Sequence, residues 1–214
     1  MTQAVVRHIP ADVSARLAEL GLSIEPLLEA VLAGAAARNG TTNHHPATYP
    51  GMAAYAEATR VLRDQLVPNG WKAYRGDGLE GVLAPTGDVV IVVVSGNEWT
   101  GDASSVPKTK YPRGTASLTA IASNQLWLFQ PPPQMKVRPK TWFLLTRQER
   151  DRVRCELSLP AEVNDDDFVI AWHERICLPS ADLGPIASPA GPPAMGEEPE
   201  VDVPVVPRSD EDSR

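Results

Sequence analysis

The spacing of hydrophobic positions changes near residue 70. Before that point they recur three and four apart. Val13, Leu17 and Leu20 precede Gly21, where a helix commonly stops, and Ile24, Leu27, Leu28, Val31 and Leu32 follow Ser23. Ser23 suits the cap of this second helix: Glu25 and Glu29 lie toward its amino end, Pro26 falls in the tolerant first turn, and Asn39-Gly40 marks its end. A linker rich in Thr, Asn and Pro comes next. From Gly51, the positions Met52, Tyr55, Thr59, Leu62 and Leu66 predict a third helix that stops before Pro68.

Beyond residue 70 the period shortens to that of strands. Residues 71–75, 79–84 and 89–94 read as three successive strands separated by Gly76-Asp77-Gly78 and Pro85-Thr86-Gly87-Asp88, which predicts an antiparallel meander. The third, VVIVVV, is an unbroken β-branched run and predicts a strand buried on both faces at the sheet centre. Residues 115–124 have weak helical spacing through Leu118 and Ile121, and residues 126–129 read as a strand stopped by three prolines. Residues 141–146 and 153–159 read as strands paired across the polar turn RQERDR. In the second of these, Val153, Cys155, Leu157 and Leu159 alternate with Arg154, Glu156 and Ser158, the signature of a strand with one wet face. Residues 168–178 are the last expected strand. The pattern therefore predicts an α+β protein with N-terminal helices packed on a mainly antiparallel sheet. Its expected divisions are a helical segment over 1–45, an α+β core over 46–179 and a disordered, acidic, Pro-rich tail over 180–214.

Composition adds limits. A chain of 214 residues with 43% hydrophobic content can bury a core of its own. The first residues lack the apolar stretch of a secretory signal, and no segment approaches the roughly 18 apolar residues of a membrane span. Cys155 and Cys177 do not make a disulfide framework, so the expected location is cytoplasmic. Together with His173 they offer fewer ligands than a structural zinc takes, and neither a metal site nor a cofactor is expected.

The net charge of −7 hides an uneven distribution. Half of the 20 basic residues lie between positions 108 and 154, whereas the tail carries Glu197, Glu198, Glu200, Asp202, Asp210, Glu211 and Asp212. The polar stretch after the central strand places Ser95, Asn97, Trp99 and Thr100 near Lys108, Lys110, Tyr111 and Arg113, and Lys136, Arg138 and Lys140 follow. Cations interleaved with aromatic rings suit phosphate neutralisation and stacking, so these residues are the candidate binding set for an anionic partner, nucleic acid included. The acidic tail is an internal competitor for that set. Gly96 and Gly101 have the glycine spacing of a phosphate-binding loop, but Asp102 and Ala103 stand where that loop needs Lys and Ser/Thr.

From residue 51 to residue 130 the predicted order is helix, three strands, helix, strand. This order resembles the core of restriction-endonuclease-like nucleases, and it is the alternative fold reading. The resemblance implies an acid at the start of the second strand, which Asp77 or Glu80 supplies, and an acid-x-Lys on the third, which VVIVVV lacks. Glu98 and Asp102 follow that strand, so Asp77, Glu80, Glu98 and Asp102 are the candidate carboxylates of a metal-dependent hydrolase. A protein-interaction subunit is the third reading.

Overall fold

The structure is a computed structural model and describes residues 4–128 and 138–184. The first strand, β1 (Val5–Arg7), leads into α1 (Pro10–Glu19), α2 (Ile24–Asn39) and α3 (Tyr49–Leu66). The meander β2 (Lys72–Gly76), β3 (Leu79–Leu83) and β4 (Val89–Ser95) follows, then α4 (Thr115–Leu128), β5 (Lys140–Gln148), β6 (Arg152–Val163), β7 (Val169–Cys177) and β8 (Ala181–Asp182). One mixed eight-stranded sheet has the order β1-β7-β6-β5-β4-β3-β2, with β8 pairing on β6. Five of its pairings are antiparallel; β4 with β5 and β1 with β7 are parallel. The α+β architecture, N-terminal helices on a mainly antiparallel sheet, is therefore as the sequence pattern implied.

Alternation along the strands divides the core into two layers. Val89, Ile91 and Val93 join Leu17, Leu27, Val31, Leu62 and Trp142 on the face covered by α1, α2 and α3. Val90, Val92 and Val94 join Ala120, Ile121, Phe143, Leu145 and Trp172 on the face covered by α4. Every residue of VVIVVV is buried because helices lie on both sides of it. Asp77-Gly78 forms the β2–β3 turn with φ of 54° and 74°, the left-handed pair that a tight hairpin demands.

Several expectations are corrected. Leu126 and Leu128 belong to α4 rather than to a strand, and Phe129 lies outside the described residues. The physical reason is the parallel pairing of β4 and β5, which needs a crossover a dozen or more residues long. The expected wet face of β6 is wet only at Arg154: Glu156 and Ser158 are fully buried, because residues 96–109 fold over them. The third helix starts at Tyr49 instead of Gly51, and β1 and β8 were not foreseen. β8 lies just past residue 179, where the core was expected to end; the rest of the acidic tail, residues 185–214, lies outside the described residues.

The element order behind the nuclease resemblance is present as α3-β2-β3-β4-α4-β5, with its last strand at Lys140–Gln148 instead of 126–129. Among the described residues no single helix is long and apolar enough to cross a membrane.

Candidate functional site

The sheet is split at the carboxyl end of its central strand. β3 is in register with β4 only through Val82 opposite Ile91 and Leu83 opposite Val90, whereas β5 follows β4 along its whole length. The departure occurs at Gly81, where an added Cβ would stand 2.0 Å from the Ile91 carbonyl oxygen, so only a glycine permits this approach. Beyond it the β2–β3 hairpin is held by Arg63 of α3, whose Nε donates to the Gly81 carbonyl at 3.0 Å. The Arg63 Nη2 donates to the Tyr74 carbonyl at 2.9 Å and to Glu80 Oε2 at 2.5 Å. The Ala84 N–H donates to the Val89 carbonyl at 2.8 Å, which fixes the odd-numbered residues of β4 as those whose main-chain groups face β3. On this edge the Ser95 carbonyl accepts from the Lys110 N–H at 2.8 Å, but no β3 residue is in register with Val92, Val93, Val94 or Ser95.

Into this split opens a cleft of about 630 Å³, walled by Met52, Tyr55, Leu79, Val94, Tyr111 and Arg113. An adjoining cavity of about 390 Å³ is walled by Lys110, Thr146, Arg147 and Val153, and the two share Arg38, Gly51, Tyr55, Val93 and Ser95. Together they lie at the carboxyl ends of the parallel pair β4 and β5, the side of such sheets on which ligands are taken up. The amino-terminal half of α3 forms the roof. Its stripe runs Met52, Tyr55, Thr59, Leu62, Leu66; the last three are buried on the sheet, while Met52 and Tyr55 are 62% and 41% exposed. Close packing sets this geometry, since a Cβ on Gly34 of α2 would meet the Ala54 carbonyl oxygen at 2.7 Å.

Cations outnumber carboxylates in the lining of the two spaces, with Arg38, Lys110, Arg113 and Arg147 against Glu80 and Glu149. Among the described residues no carboxylate lies within ion-pair distance of Arg38, Lys110, Arg113 or Arg147. Arg113 stands at the amino end of α4, its guanidinium carbon 5.8 Å from the Phe143 ring centroid and its Nη2 3.4 Å from Ser117 Oγ. Among the described residues its buried Nε has no hydrogen-bond partner, and neither has that of Arg147. Desolvation pushes the Arg113 guanidinium below its ordinary value, opposed only by Tyr55. An anion here would regain the charge stabilisation that burial removes, aided by the positive end of α4. The Tyr55 phenol is pushed up, first by burial and then by Glu80.

The sequence candidates divide among different surroundings. Ser95 is exposed at the end of β4, and Lys110, Tyr111 and Arg113 border the cleft. Asn97 and Thr100 are buried in the loop itself: Asn97 Oδ1 accepts from the Trp99 N–H at 3.2 Å and the Lys108 N–H at 3.1 Å. Trp99 is 46% exposed. Lys108 lies over the Phe168 ring at 5.7 Å. Arg138 pairs with Asp77 at 3.1 Å, and Lys140 sits opposite Val89, at the far end of β4 from Ser95. Lys136 lies outside the described residues. Farther along, Glu149 pairs with both Arg152 at 2.8 Å and Arg154 at 2.7 Å. Arg38, Tyr55 and Arg147, which border the cleft, were missed. No local pattern marks them; Arg38 reads only as a cation suited to a helix end.

The four candidate carboxylates do not converge. Asp77 faces Arg138, Glu80 faces Arg63 and Arg75, and Asp102 accepts from the Ser104 N–H and hydroxyl and the Ser105 hydroxyl. Asp102 is held below the usual carboxylate range by those Ser104 and Ser105 bonds. The Glu98 carbonyl, not its carboxylate, takes the Arg154 guanidinium. Among the described residues no three His, Cys, Asp or Glu side chains are grouped to hold a metal ion. Cys155 and Cys177 are buried thiols, pushed up mainly by desolvation to about 12 and about 11. No protein-family model, curated protein or solved structure matches the chain.

Proposed function

We propose that this protein is a non-catalytic binding protein that takes an anionic group of its partner into the cleft at the carboxyl end of β4. The observation that carries the reading is Arg113, a desolvated guanidinium in the cleft wall with no carboxylate among the described residues within ion-pair distance. Arg38, Lys110 and Arg147 add positive charge around the same space, and the exposed Tyr111 ring, with the Lys110 ammonium 5.2 Å from its centroid, borders it. A phosphate group of nucleic acid fits this chemistry as a compact anion does.

Fluorescence anisotropy with labelled single-stranded DNA and RNA, and competition by inorganic pyrophosphate, tests the reading. Binding at low salt that weakens as salt rises is expected. Arg113→Gln should weaken it about tenfold, the ordinary loss for one charge-assisted contact. Absence of binding at low salt, or indifference to Arg113→Gln, overturns the reading. Competition by pyrophosphate without oligonucleotide binding assigns the cleft to a small anion.

A second reading, metal-dependent hydrolysis using Asp77, Glu80, Glu98 or Asp102, has only the nuclease-like element order behind it, since those carboxylates do not converge. Strand breakage of plasmid DNA in Mn²⁺, lost in Asp77→Asn or Asp102→Asn, would support it; intact plasmid would remove it.

A further inference from the structure

Each of the two adjoining spaces has cations of its own. Arg113 lines only the larger cleft, Lys110 and Arg147 line only the smaller cavity, and Arg38 lines both. Arg113 and Arg147 share one further property: among the described residues the buried Nε of each has no hydrogen-bond partner.

The carboxylates in the same walls do not answer this charge. Glu80 of the larger cleft pairs with Arg63 at 2.5 Å and with Arg75 at 3.6 Å, and Glu149 of the smaller cavity pairs with Arg152 at 2.8 Å and with Arg154 at 2.7 Å. None of those four arginines lines either space. The acids of the lining are thus neutralised from outside it, and the positive charge that faces the spaces belongs to Arg38, Lys110, Arg113 and Arg147.

The two arginines also stand apart along the sheet. The Arg113 guanidinium carbon lies 5.8 Å from the Phe143 ring centroid, and Arg147 comes four residues after Phe143 on β5, roughly 13 Å at strand spacing. One phosphate, with hydrogen bonds about 3 Å long, is too small to serve both places. Two anionic groups on one ligand are not, because the spaces join along Arg38, Gly51, Tyr55, Val93 and Ser95. The body of such a ligand meets a different wall. Met52, Tyr55, Leu79, Val94 and Tyr111 border the larger cleft, and Met52, Tyr55 and Tyr111 are exposed. Rings and a thioether suit a planar body such as a base.

Given the cleft as the anion site proposed above, we infer that its ligand is a nucleoside carrying phosphate on both its 5′ and its 3′ side. One phosphate sits at Arg113 and the other at Arg147 and Lys110, with Arg38 at the junction of the two spaces. A free nucleoside bisphosphate and an internal nucleotide of a single strand share this chemistry.

Isothermal titration calorimetry on the full chain compares adenosine 3′,5′-bisphosphate with adenosine 5′-monophosphate and adenosine 3′-monophosphate. The bisphosphate should bind at least about tenfold more tightly than either, the gain from one charge-assisted contact. Arg113→Gln and Arg147→Gln should each weaken the bisphosphate about tenfold, and together about a hundredfold, because separate contacts add. Each monophosphate should respond to one of the two substitutions and not to the other. Lys110→Gln, at an exposed side chain, repeats the Arg147 test without touching a buried group. A short oligoadenylate separates the two sources of the ligand. Tighter binding than the bisphosphate assigns the site to nucleic acid, and equal or weaker binding assigns it to the free nucleotide.

A bisphosphate that binds no more tightly than the monophosphates, or that is indifferent to both Arg147→Gln and Lys110→Gln, overturns the inference. If a monophosphate or pyrophosphate still binds in an Arg113-dependent way, the anion site stands and only its second place falls. If no phosphate compound binds at low salt, the cleft reading falls with it.

Discussion

Arg175 Nη2 donates to Glu156 Oε2 at 2.6 Å, and the two side chains are 2% and 0% exposed. This pair joins β6 to β7 and also fastens the loop that borders the cleft. Glu156 Oε2 accepts from the Gly101 N–H at 2.8 Å, and Arg175 Nη1 and Nη2 donate to the Ser105 and Asp102 carbonyls at 2.6 and 2.9 Å. Removing one member leaves the other charge buried, so Glu156→Gln should cost about 3–5 kcal/mol in urea unfolding. Joint replacement by Glu156→Leu and Arg175→Met should recover much of that loss, because no orphan charge remains. A loss below about 1 kcal/mol in the single variant would show that solvent reaches the pair.

Glu174 ties the amino-terminal strand and helix to the sheet. Arg7 and Arg16 donate to its carboxylate at 2.7 and 2.8 Å, and Arg16 also lies 5.9 Å from the Trp142 ring centroid. Burial pushes this carboxyl up, but the bonds from Arg16 and Arg7 outweigh it and hold the group below its ordinary value. A depressed folded value means that the stabilisation is complete above the unfolded carboxylate range, near about 4.3, and disappears as pH falls through the folded value. Glu174→Gln should therefore lower stability at neutral pH by about 1–3 kcal/mol. The gap in Tm between the two proteins should close on acidification below about pH 4. A gap that stays constant down to acid pH would contradict this assignment.

Local pattern carried much of the fold, and its failures have physical causes. VVIVVV announced a doubly buried strand because six β-branched residues in succession fit no other environment as well. By contrast, α4 is built largely of Ala, Ser, Thr and Leu and has little amphipathic contrast, so its carboxyl-terminal part passed for a strand. Glu156 passed for a solvent-facing residue because its partner, Arg175, lies on another strand and the loop that covers both follows β4. The site was the least legible part. Lys110 and Arg113 were visible in the polar stretch, but Arg38, Tyr55 and Arg147 come from three separate elements, α2, α3 and β5, and are brought together only by the packing of the helices on the sheet.

The kink at Gly81 makes the last prediction a comparison of three glycines. At Gly81 an added methyl would stand 2.0 Å from one backbone oxygen and 3.1 Å from Val92 Cγ1, so main chain must move. Gly81→Ala should cost about 1–3 kcal/mol by overpacking. It should also weaken anion binding, since any relief shifts β3 against the wall of the cleft. At Gly87 the space is open but φ is +77°, and Gly87→Ala should cost about 1 kcal/mol through the left-handed backbone alone, with no effect on binding. At Gly51 nothing lies within 4 Å, the backbone is helical, and the residue lines both cavities. Gly51→Ala should stabilise the protein by up to about 1 kcal/mol. Urea unfolding and the anisotropy titration, run on all three variants, separate these effects. If Gly81→Ala behaves like Gly87→Ala in both measurements, the split in the sheet does not depend on the missing side chain at Gly81.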